Sequence, residues 1–487
     1  MTGIERRLVG DLPVQSAADA ADLVAADDTV LVSGFGSVGD PKAVPAALAE
    51  RARAGRELAL TVVSGGSTGE QIDTRLFEAG AVARRYPFQG RSASRAAVND
   101  RTVAFHDTHI ARLGEQVELG TLVDADVAIV EAIAVGPDWL VPSTSIGHTP
   151  TYVAAADRVV VEMNRSQPLE LAALHDVYRP GLPPDRNPIP LSTPGERIGD
   201  HRITFDPEKL HAVVETNDPD TPYSFREPTT VDQRIADNFT SFLESEMQRN
   251  PAMADRVRLQ FGVGSMGNAL MGALAAFDAD GRAIEYFGEV VQDGMLDLLA
   301  DGTFRVASAT SLALSEDGQA RLFGDVERYT EQLVLRPADV SNRPELVDRF
   351  GVVAVNSAVE VDVYGNANST HVGAGHLLSG IGGSGDFNRN ALLSITALPS
   401  TAGDGDVSRV VPAVTHVDHT EHDIDVVLTE HGVADLRGLA PVERAAELVD
   451  ECAHPDYRDR LRAYLDHACE RPGHVPHDLA VAYDWLD

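Results

Sequence analysis

One pattern occurs twice in this chain and restricts the folds that are open to it. Residues 29–39 read TVLVSGFGSVG and residues 257–267 read VRLQFGVGSMG. In each copy a short apolar run enters the pattern G-x-G-x-x-G, and a helical pattern rich in alanine, a turn and a second apolar run follow. Strand, glycine turn, helix and strand make a βαβ unit. The sequence therefore predicts an α/β protein with a largely parallel sheet in each half.

The identical glycine spacing indicates an internal duplication, with two similar α/β domains. The chain has 487 residues, enough for two large domains. Two proline-rich passages, 179–195 and 217–228, lie between the copies. We place the domain boundary there, giving an N-terminal domain of residues 1–222 and a C-terminal domain of residues 223–487.

Several segments have patterns of their own. Residues 127–135 (VAIVEAIAV) and 350–365 (FGVVAVNSAVEVDVYG) are predicted strands, and residues 230–249 have the spacing of an amphipathic helix. The tail from residue 441 predicts two helices that are broken near Pro455.

The charge of the chain is strongly acidic. It has 75 acidic and 40 basic residues, a formal net charge of −35, and Lys42 and Lys209 are its two lysines. Nucleic acids and anionic membranes bind basic patches, so neither is an expected partner. The acids are spread in short groups, which indicates an acidic surface adapted to a high-salt cytoplasm.

The sequence predicts a soluble intracellular protein. No apolar run approaches the roughly 20 residues that span a bilayer, and the N-terminus lacks the apolar core of a signal peptide. The two cysteines, Cys452 and Cys469, are too few for a disulfide framework or a cysteine-rich zinc site, although they leave one disulfide possible.

The glycine motifs leave a dinucleotide site open, which would make the protein an NAD-dependent oxidoreductase. That site needs an acid at the end of the second strand to bind the ribose. The first copy ends there in Ser64-Gly65-Gly66, whereas the second copy has Glu289. Either motif also offers N–H groups at a helix N-terminus, which suit a phosphate or an oxyanion.

Two further stretches contain candidate catalytic or metal-binding groups. GGSGDF (382–387) is similar to a nucleophile elbow around Ser384, but Asp386 stands where G-x-S-x-G requires glycine. HVDHTEHD (416–423) places His416, His419 and His422 at three-residue intervals. That spacing brings them together on neither a strand nor a helix, so we favour a hydrogen-bonded loop over a metal site.

Longer motifs resemble a known family. They are GEVVQDGMLDLL (288–299), residues 379–395 and residues 414–445, together with GFGSVGDPKAVPAAL (34–48) and residues 142–164. In this order they are similar to the acetyl-CoA hydrolase/transferase family, a group of class I CoA-transferases, and most of all to its succinyl-CoA:acetate CoA-transferases. The resemblance implies two α/β domains of one fold, an active site between them and a homodimer.

The resemblance also implies roles for individual residues. Glu289, in E-V-x-Q-D, would be the nucleophile that passes through a glutamyl-CoA thioester, and Asn342 would lie near the substrate carboxylate. The amides of Met266 and Gly383 would form the oxyanion hole. CoA would contact a larger set, namely Gly262, Val263, Gly264, Ser265, Met266, Ser379 and Gly383. The family works without a metal, so we expect no metal and no tightly bound cofactor, with CoA as a substrate.

The expected activity is transfer of CoA between an acyl-CoA and a small carboxylic acid, with succinate and acetate as the leading pair. Acyl-CoA hydrolysis stays open, because water could attack the same thioester. The NAD-dependent oxidoreductase and a non-catalytic CoA-binding module are the alternatives of other classes.

The acidic surface generates a test in solution. Salt screens repulsion between carboxylates, with a Debye length of ~3 Å at 1 M. We expect the protein to lose helical signal in circular dichroism on dialysis from molar salt into dilute buffer, and to regain it when salt is restored. Full stability in dilute buffer would contradict the predicted salt adaptation.

Overall fold

The structure is a computed structural model that describes residues 6–373 and 375–485. Its contacts divide the chain into two compact units. The first contains Met1–Ser224, Tyr286–Leu296 and Val306–Leu346, and the second contains Phe225–Glu285, Asp297–Arg305 and Val347–Asp487. The domains 1–222 and 223–487 stay a prediction.

The chain up to residue 224 contains a nine-stranded sheet. Its strands are β1 (Thr29–Val32), β2 (Leu60–Val63), β3 (Val82–Tyr86), β4 (Ala104–Phe105), β5 (Val127–Val135), β6 (Trp139–Pro142), β7 (Arg158–Asn164), β8 (Ile203–Thr204) and β9 (Leu210–Thr216). The helices of this segment are α1 (Ala17–Ala21), α2 (Ala43–Arg53), α3 (Ser92–Asn99), α4 (Ile110–Glu118) and α5 (Thr149–Ala155).

The later strands are β10 (Arg256–Phe261), β11 (Ala283–Phe287), β12 (Val290–Val291), β13 (Phe304–Ala309), β14 (Ser311–Leu312), β15 (Leu333–Leu335), β16 (Val352–Asn356), β17 (Glu360–Asp362), β18 (Ala367–Asn368), β19 (His371–Val372), β20 (His376–Leu377), β21 (Leu393–Ala397), β22 (Thr401–Ala402), β23 (Val407–Ser408), β24 (Val410–Val411), β25 (Val426–Leu428) and β26 (Val433–Asp435). The later helices are α6 (Thr230–Arg249), α7 (Ser265–Leu274), α8 (Asp293–Ala300), α9 (Glu316–Gly324), α10 (Ala338–Ser341), α11 (Pro344–Phe350), α12 (Ser384–Asn388), α13 (Pro441–Cys452), α14 (Pro455–Cys469) and α15 (Leu479–Ala482).

Both units are built on parallel strands. In the first, β1 pairs in parallel with β2 and β5, and β5, β7 and β9 continue the parallel order. In the second, β10, β16, β21 and β25 follow one another in the same parallel arrangement, and β26 closes the edge antiparallel. In each unit, the strand that enters the glycine motif is therefore followed in the sheet by three further parallel strands. This shared arrangement confirms the α/β fold class with two similar domains.

Burial explains why the predicted strands form where they do. Every residue of β5 is buried, as expected for a strand covered on both faces of a parallel sheet. The predicted amphipathic helix is confirmed as α6, which begins with a capping box between Thr229 and Asp232. The two tail helices are confirmed as α13 and α14, and Pro455 is the first residue of α14.

One predicted strand is divided. Residues 350–365 form β16, which ends at Asn356, and a separate β17 that begins at Glu360. β17 pairs with β18 and β24 in a small three-stranded sheet, not with the strands of the main sheet. β16 (VVAVN) is buried at every position and β17 (EVD) is buried at its last two, and neither pattern reports which strand each will pair with, so the change of partner was not visible in the sequence.

Lys42 lies in a buried cluster of charges directly after the first glycine motif. Its Nζ is 2.6 Å from Glu131 Oε2 and 2.8 Å from Asp220 Oδ1. Lys42 Nζ also donates a hydrogen bond to the Asp40 carbonyl at 2.8 Å. Burial alone would lower the pKa of Lys42, but Asp220, Glu131 and Asp40 outweigh it and raise that pKa, so the ammonium stays charged. The cluster joins the start of α2 to β5.

The two lysines make a matched pair for a stability test. Lys42→Met should lower the free energy of unfolding by ~3–5 kcal/mol, because it leaves buried carboxylates without their cation. Lys209→Met is the control, because Lys209 Nζ donates to the carbonyl of Ala154 and its loss leaves no unpaired charge. Urea unfolding in high salt measures both. Equal costs for the two variants would contradict this account of the cluster.

For the described residues, no helix is both long and apolar enough to cross a membrane. Cys452 is buried and Cys469 is exposed, and both are free thiols.

Candidate active site

Glu289 lies in the short turn between β11 and β12 and belongs to the first unit. The main chain on both sides is held, since Gly288 N–H donates to the Ser308 carbonyl at 3.0 Å and Thr310 N–H donates to the Glu289 carbonyl at 2.8 Å. The residue is half-buried. A carboxylate at a strand end on a braced turn has a defined position and retains access to solvent.

Asn342 contacts the Glu289 carboxylate directly. It is the C-terminal capping residue of α10, is fully buried, and donates from Nδ2 to Glu289 Oε1 at 2.6 Å. Ser341 Oγ donates to Asn342 Oδ1 at 3.0 Å, which orients the amide so that its nitrogen faces the carboxylate. The structure thus brings together two residues that the sequence singled out.

The surroundings make Glu289 harder to ionise than a carboxylate in water. Burial raises the pKa of Glu289 to about 7, and the hydrogen bond from Asn342 acts in the opposite direction by stabilising the charged form. The next residue, Val290, belongs to an apolar cluster; its buried members are Phe35, Ile110, Val290, Ala313 and Ala338. A carboxylate with a raised pKa and one neutral donor is a stronger nucleophile than a solvated one.

The first glycine motif lies beside the turn that contains Glu289. Gly36 has φ +67°, and a Cβ on it would be 3.3 Å from Ser311 Oγ and 3.7 Å from Val290 Cγ2. Ser311 Oγ donates to the Phe35 carbonyl at 2.6 Å. Only glycine combines this backbone conformation with so close an approach. Neither Gly36 nor Ser311 was predicted as a site residue from the sequence, although the repeated motif was a signal for Gly36.

The second glycine motif belongs to the second unit. Gly262 N–H donates to the Val355 carbonyl at 3.0 Å, and Gly264, with φ +131°, caps α7. Ser265 and Met266 are the first two residues of α7, where main-chain N–H groups have no partner within the helix. Val263 is 49% exposed at the tip of the turn. Five of the predicted CoA-binding residues, 262–266, therefore form one accessible turn at a helix N-terminus, whereas Ser379 and Gly383 lie on another loop.

A chain of buried amides joins this turn to the loop that contains Gly383. Gln260 Nε2 donates to Asn356 Oδ1 at 3.1 Å, and Asn356 Nδ2 donates to Asn388 Oδ1 at 2.7 Å. Asn388 ends α12, which Gly383 caps at its N-terminus. Asn356, a residue missed in the sequence, thus holds the two loops side by side in the second unit.

Ser379 lies on the loop that contains Gly383. It is half-buried, and its N–H points to the Thr370 carbonyl at 3.5 Å.

Ser384 is hydrogen-bonded in a way that does not suit a nucleophile. Its Oγ donates to the Ile381 carbonyl at 2.9 Å and lies 3.2 Å from His419 Nε2. A hydroxyl has one proton, so with that proton on the carbonyl, His419 must be the donor in the second contact. A histidine that donates to the serine cannot remove its proton, in contrast to a catalytic pair.

The three histidines of residues 416–423 are in different surroundings. His419 is buried against Ser384, His416 is 3.2 Å from Asp418, and His422 is exposed beside Glu421 at 3.6 Å. Within residues 6–373 and 375–485, no group of three or more histidine, cysteine or acidic side chains is arranged to bind a metal ion.

Comparison with known proteins assigns the chain to a family. The model of the acetyl-CoA hydrolase/transferase N-terminal domain matches residues 12–215, and that of the C-terminal domain matches residues 318–465. Succinyl-CoA:acetate CoA-transferase of Clostridium kluyveri is 42% identical over 96% of this chain and 87% of its own length. Acetyl-CoA hydrolase of Yarrowia lipolytica is 37% identical over 96% of this chain and 94% of its own.

The fold is similar to that of solved structures. A crystal structure of 4-hydroxybutyrate CoA-transferase from Porphyromonas gingivalis superposes with a TM-score of 0.63 at 22% identity, covering 93% of this chain and 97% of that one. Because both family models match in order and together cover most of the sequence, the chain belongs to the acetyl-CoA hydrolase/transferase family.

Proposed function

We propose that this protein is a CoA-transferase that moves CoA between an acyl-CoA and a small carboxylic acid, with Glu289 as the nucleophile. The observation on which the proposal mainly rests is the half-buried Glu289 carboxylate, which accepts a hydrogen bond from Asn342 at 2.6 Å. The similarity to a succinyl-CoA:acetate CoA-transferase supports succinyl-CoA and acetate as the leading pair.

The proposed reaction consists of four acyl transfers that return the enzyme to its starting state. A Glu289 oxygen attacks the thioester carbonyl, the C–S bond breaks, and a mixed anhydride and CoA thiolate result. The thiolate attacks the glutamyl carbonyl and releases the first carboxylate, leaving a glutamyl-CoA thioester. The acceptor carboxylate then attacks that thioester, the C–S bond breaks, and CoA thiolate and a second mixed anhydride result. The thiolate finally attacks the acceptor's carbonyl carbon in this anhydride, forming the new acyl-CoA and freeing the Glu289 carboxylate.

Each tetrahedral intermediate has an oxyanion that needs N–H donors. We assign this role to the amides of Met266 and Gly383, at the starts of α7 and α12, and removal of one such donor typically costs ~10²–10³ in rate. CoA is proposed to contact Gly262, Val263, Gly264, Ser265 and Ser379 as well. Asn342 is proposed to lie near the substrate carboxylate, as its contact with Glu289 would require.

Acyl-CoA hydrolysis is the second candidate, because a relative 37% identical to this chain is an acetyl-CoA hydrolase. Water would then attack the same glutamyl thioester. We further propose a cytoplasmic homodimer adapted to high salt, active without a metal or a tightly bound cofactor.

The thioester can be trapped directly. The protein incubated with succinyl-CoA and then treated with borohydride should have an alcohol in place of the carboxyl group at Glu289, because borohydride reduces thioesters and leaves carboxylates intact. Peptide mass spectrometry locates the change. The isosteric variant Glu289→Gln and a sample without acyl-CoA are the controls, and reduction at another residue, or at none, would contradict the mechanism.

Free thiol separates transfer from hydrolysis. With acetyl-CoA alone, a transferase should release little CoA thiol, and added succinate should yield succinyl-CoA without increasing the thiol. Steady release of thiol without any acceptor acid would identify the protein as a hydrolase.

The site also predicts a pH dependence. Glu289 must be ionised to attack, and its pKa is about 7, so kcat/KM should fall about tenfold per pH unit below that value. We call this fall of kcat/KM at low pH the acid limb. Asn342→Ala removes a donor that stabilises the charged form of Glu289, so it should move the acid limb to higher pH and lower kcat/KM by ~10–100-fold.

The matched control is Asn250→Ala. Asn250 Nδ2 also donates to a glutamate, Glu246 Oε1, at 3.0 Å, but in α6 of the second unit. Its acid limb should coincide with that of the wild type. An unchanged acid limb in Asn342→Ala would mean that this amide does not set the ionisation of Glu289.

A further inference from the structure

Thr310 is connected to Glu289 and to a second segment of the first unit. Its N–H donates to the Glu289 carbonyl at 2.8 Å. Its own carbonyl accepts from Ile146 N–H at 2.9 Å, and its Oγ1 accepts from Gly147 N–H at 2.9 Å. Thr310 is fully buried. One side chain and one peptide thus connect the turn that contains Glu289 to residues 146–147.

The second segment leads back to Glu289 by another route. The Gly147 carbonyl accepts from Ala338 N–H, the first residue of α10, at 2.8 Å, and Asn342 N–H donates to the Ala338 carbonyl at 3.0 Å. Asn342 then donates to Glu289 Oε1 at 2.6 Å. The hydrogen bonds therefore form a closed ring, in which Thr310 holds the main chain of Glu289 and Asn342 holds its carboxylate.

A second attachment holds α10 to the same segment. Thr151 Oγ1 donates to Asp339 Oδ2 at 2.8 Å, and His148 Nε2 is 3.7 Å from Asp339 Oδ1. Residues 147–151 thus hold both of the first two residues of α10. Since Gly147 is in turn bonded to Thr310, the Thr310 hydroxyl is connected through residues 147–151 to α10 and so to Asn342.

We propose that Thr310 is a positioning residue for the proposed transfer reaction: through Gly147 and α10 it sets the distance between the Asn342 amide and the Glu289 carboxylate, although its side chain contacts neither. This inference rests on the proposed role of Glu289. It differs from a purely structural role, because a ring that relaxes changes the geometry of the nucleophile in a protein that stays folded.

The test compares two substitutions at one position. Thr310→Val keeps the shape but leaves Gly147 N–H without its acceptor, and Thr310→Ser restores the hydroxyl. In Thr310→Val we expect the rate of glutamyl-CoA formation to fall about tenfold and the acid limb of kcat/KM to move to higher pH, with KM for the acyl-CoA within about twofold of the wild type. Thr310→Ser should restore both the rate of glutamyl-CoA formation and the position of the acid limb of kcat/KM to those of the wild type.

Thr216→Val is the matched control. Thr216 is also buried, and within the described chain its hydroxyl has no hydrogen-bond partner, so the same substitution breaks no bond. Its rate and pH profile should equal those of the wild type. A Thr310→Val protein that loses thermal stability but keeps the wild-type rate and acid limb would overturn the positioning role.

Two further measurements keep the inference testable. If Thr310→Val fails to fold, Thr151→Val decides, because it breaks the bond to Asp339 and should shift the acid limb in the same direction by a smaller amount; an unchanged limb there overturns the inference. Wild-type protein that forms no glutamyl-CoA would overturn the proposed function together with the positioning role. Adduct formation that is equally fast in the wild type and in Thr310→Val would overturn the positioning role alone.

Discussion

The contact between a half-buried carboxylate and one neutral amide is the interaction on which the proposed chemistry depends. Burial raises the pKa of Glu289, and Asn342 limits this rise by donating to the charged form. The balance matters because a carboxylate that is too well solvated is a poor nucleophile, whereas one that is fully desolvated stays protonated. A neutral donor stabilises the anion without pairing it, so the oxygen lone pairs remain available for attack.

The first unit uses burial of charge in two different ways. Around Lys42, Glu131 and Asp220 the charges are paired at 2.6–2.8 Å, which gives a rigid ionic junction between α2 and β5. At Glu289 the partner of the carboxylate is the Asn342 amide. No cation among the described residues contributes to the shift of the Glu289 pKa. The first arrangement favours a permanent charge, and the second favours a group that can change its bonding during a reaction.

The second unit contains the proposed oxyanion donors. Its glycine turn and its Gly383 loop present main-chain N–H groups at two helix starts, and buried amides of Gln260, Asn356 and Asn388 keep those loops together. Donors from the main chain are fixed by the fold and need no reorganisation when an oxyanion forms. The duplicated βαβ unit thus has two uses: Gly36 in the first copy permits close packing beside Glu289, and the second copy offers donors.

The sequence alone determined the features that arise from short-range patterns: the α/β class, the parallel rows of strands, α6 and the two tail helices, each from spacing within a few residues. The resemblance in motifs singled out Glu289 and Asn342 but not their contact. Only the tertiary structure decided that contact, between residues 53 apart in the chain, and the bond between Gly147 and Thr310, which are 163 apart. Periodicity reports interactions along one element, whereas these approaches depend on how strands and turns from distant parts of the chain pack. For the same reason the division of residues 350–365 and the roles of Gly36, Asn356 and Thr310 became visible only in the folded chain.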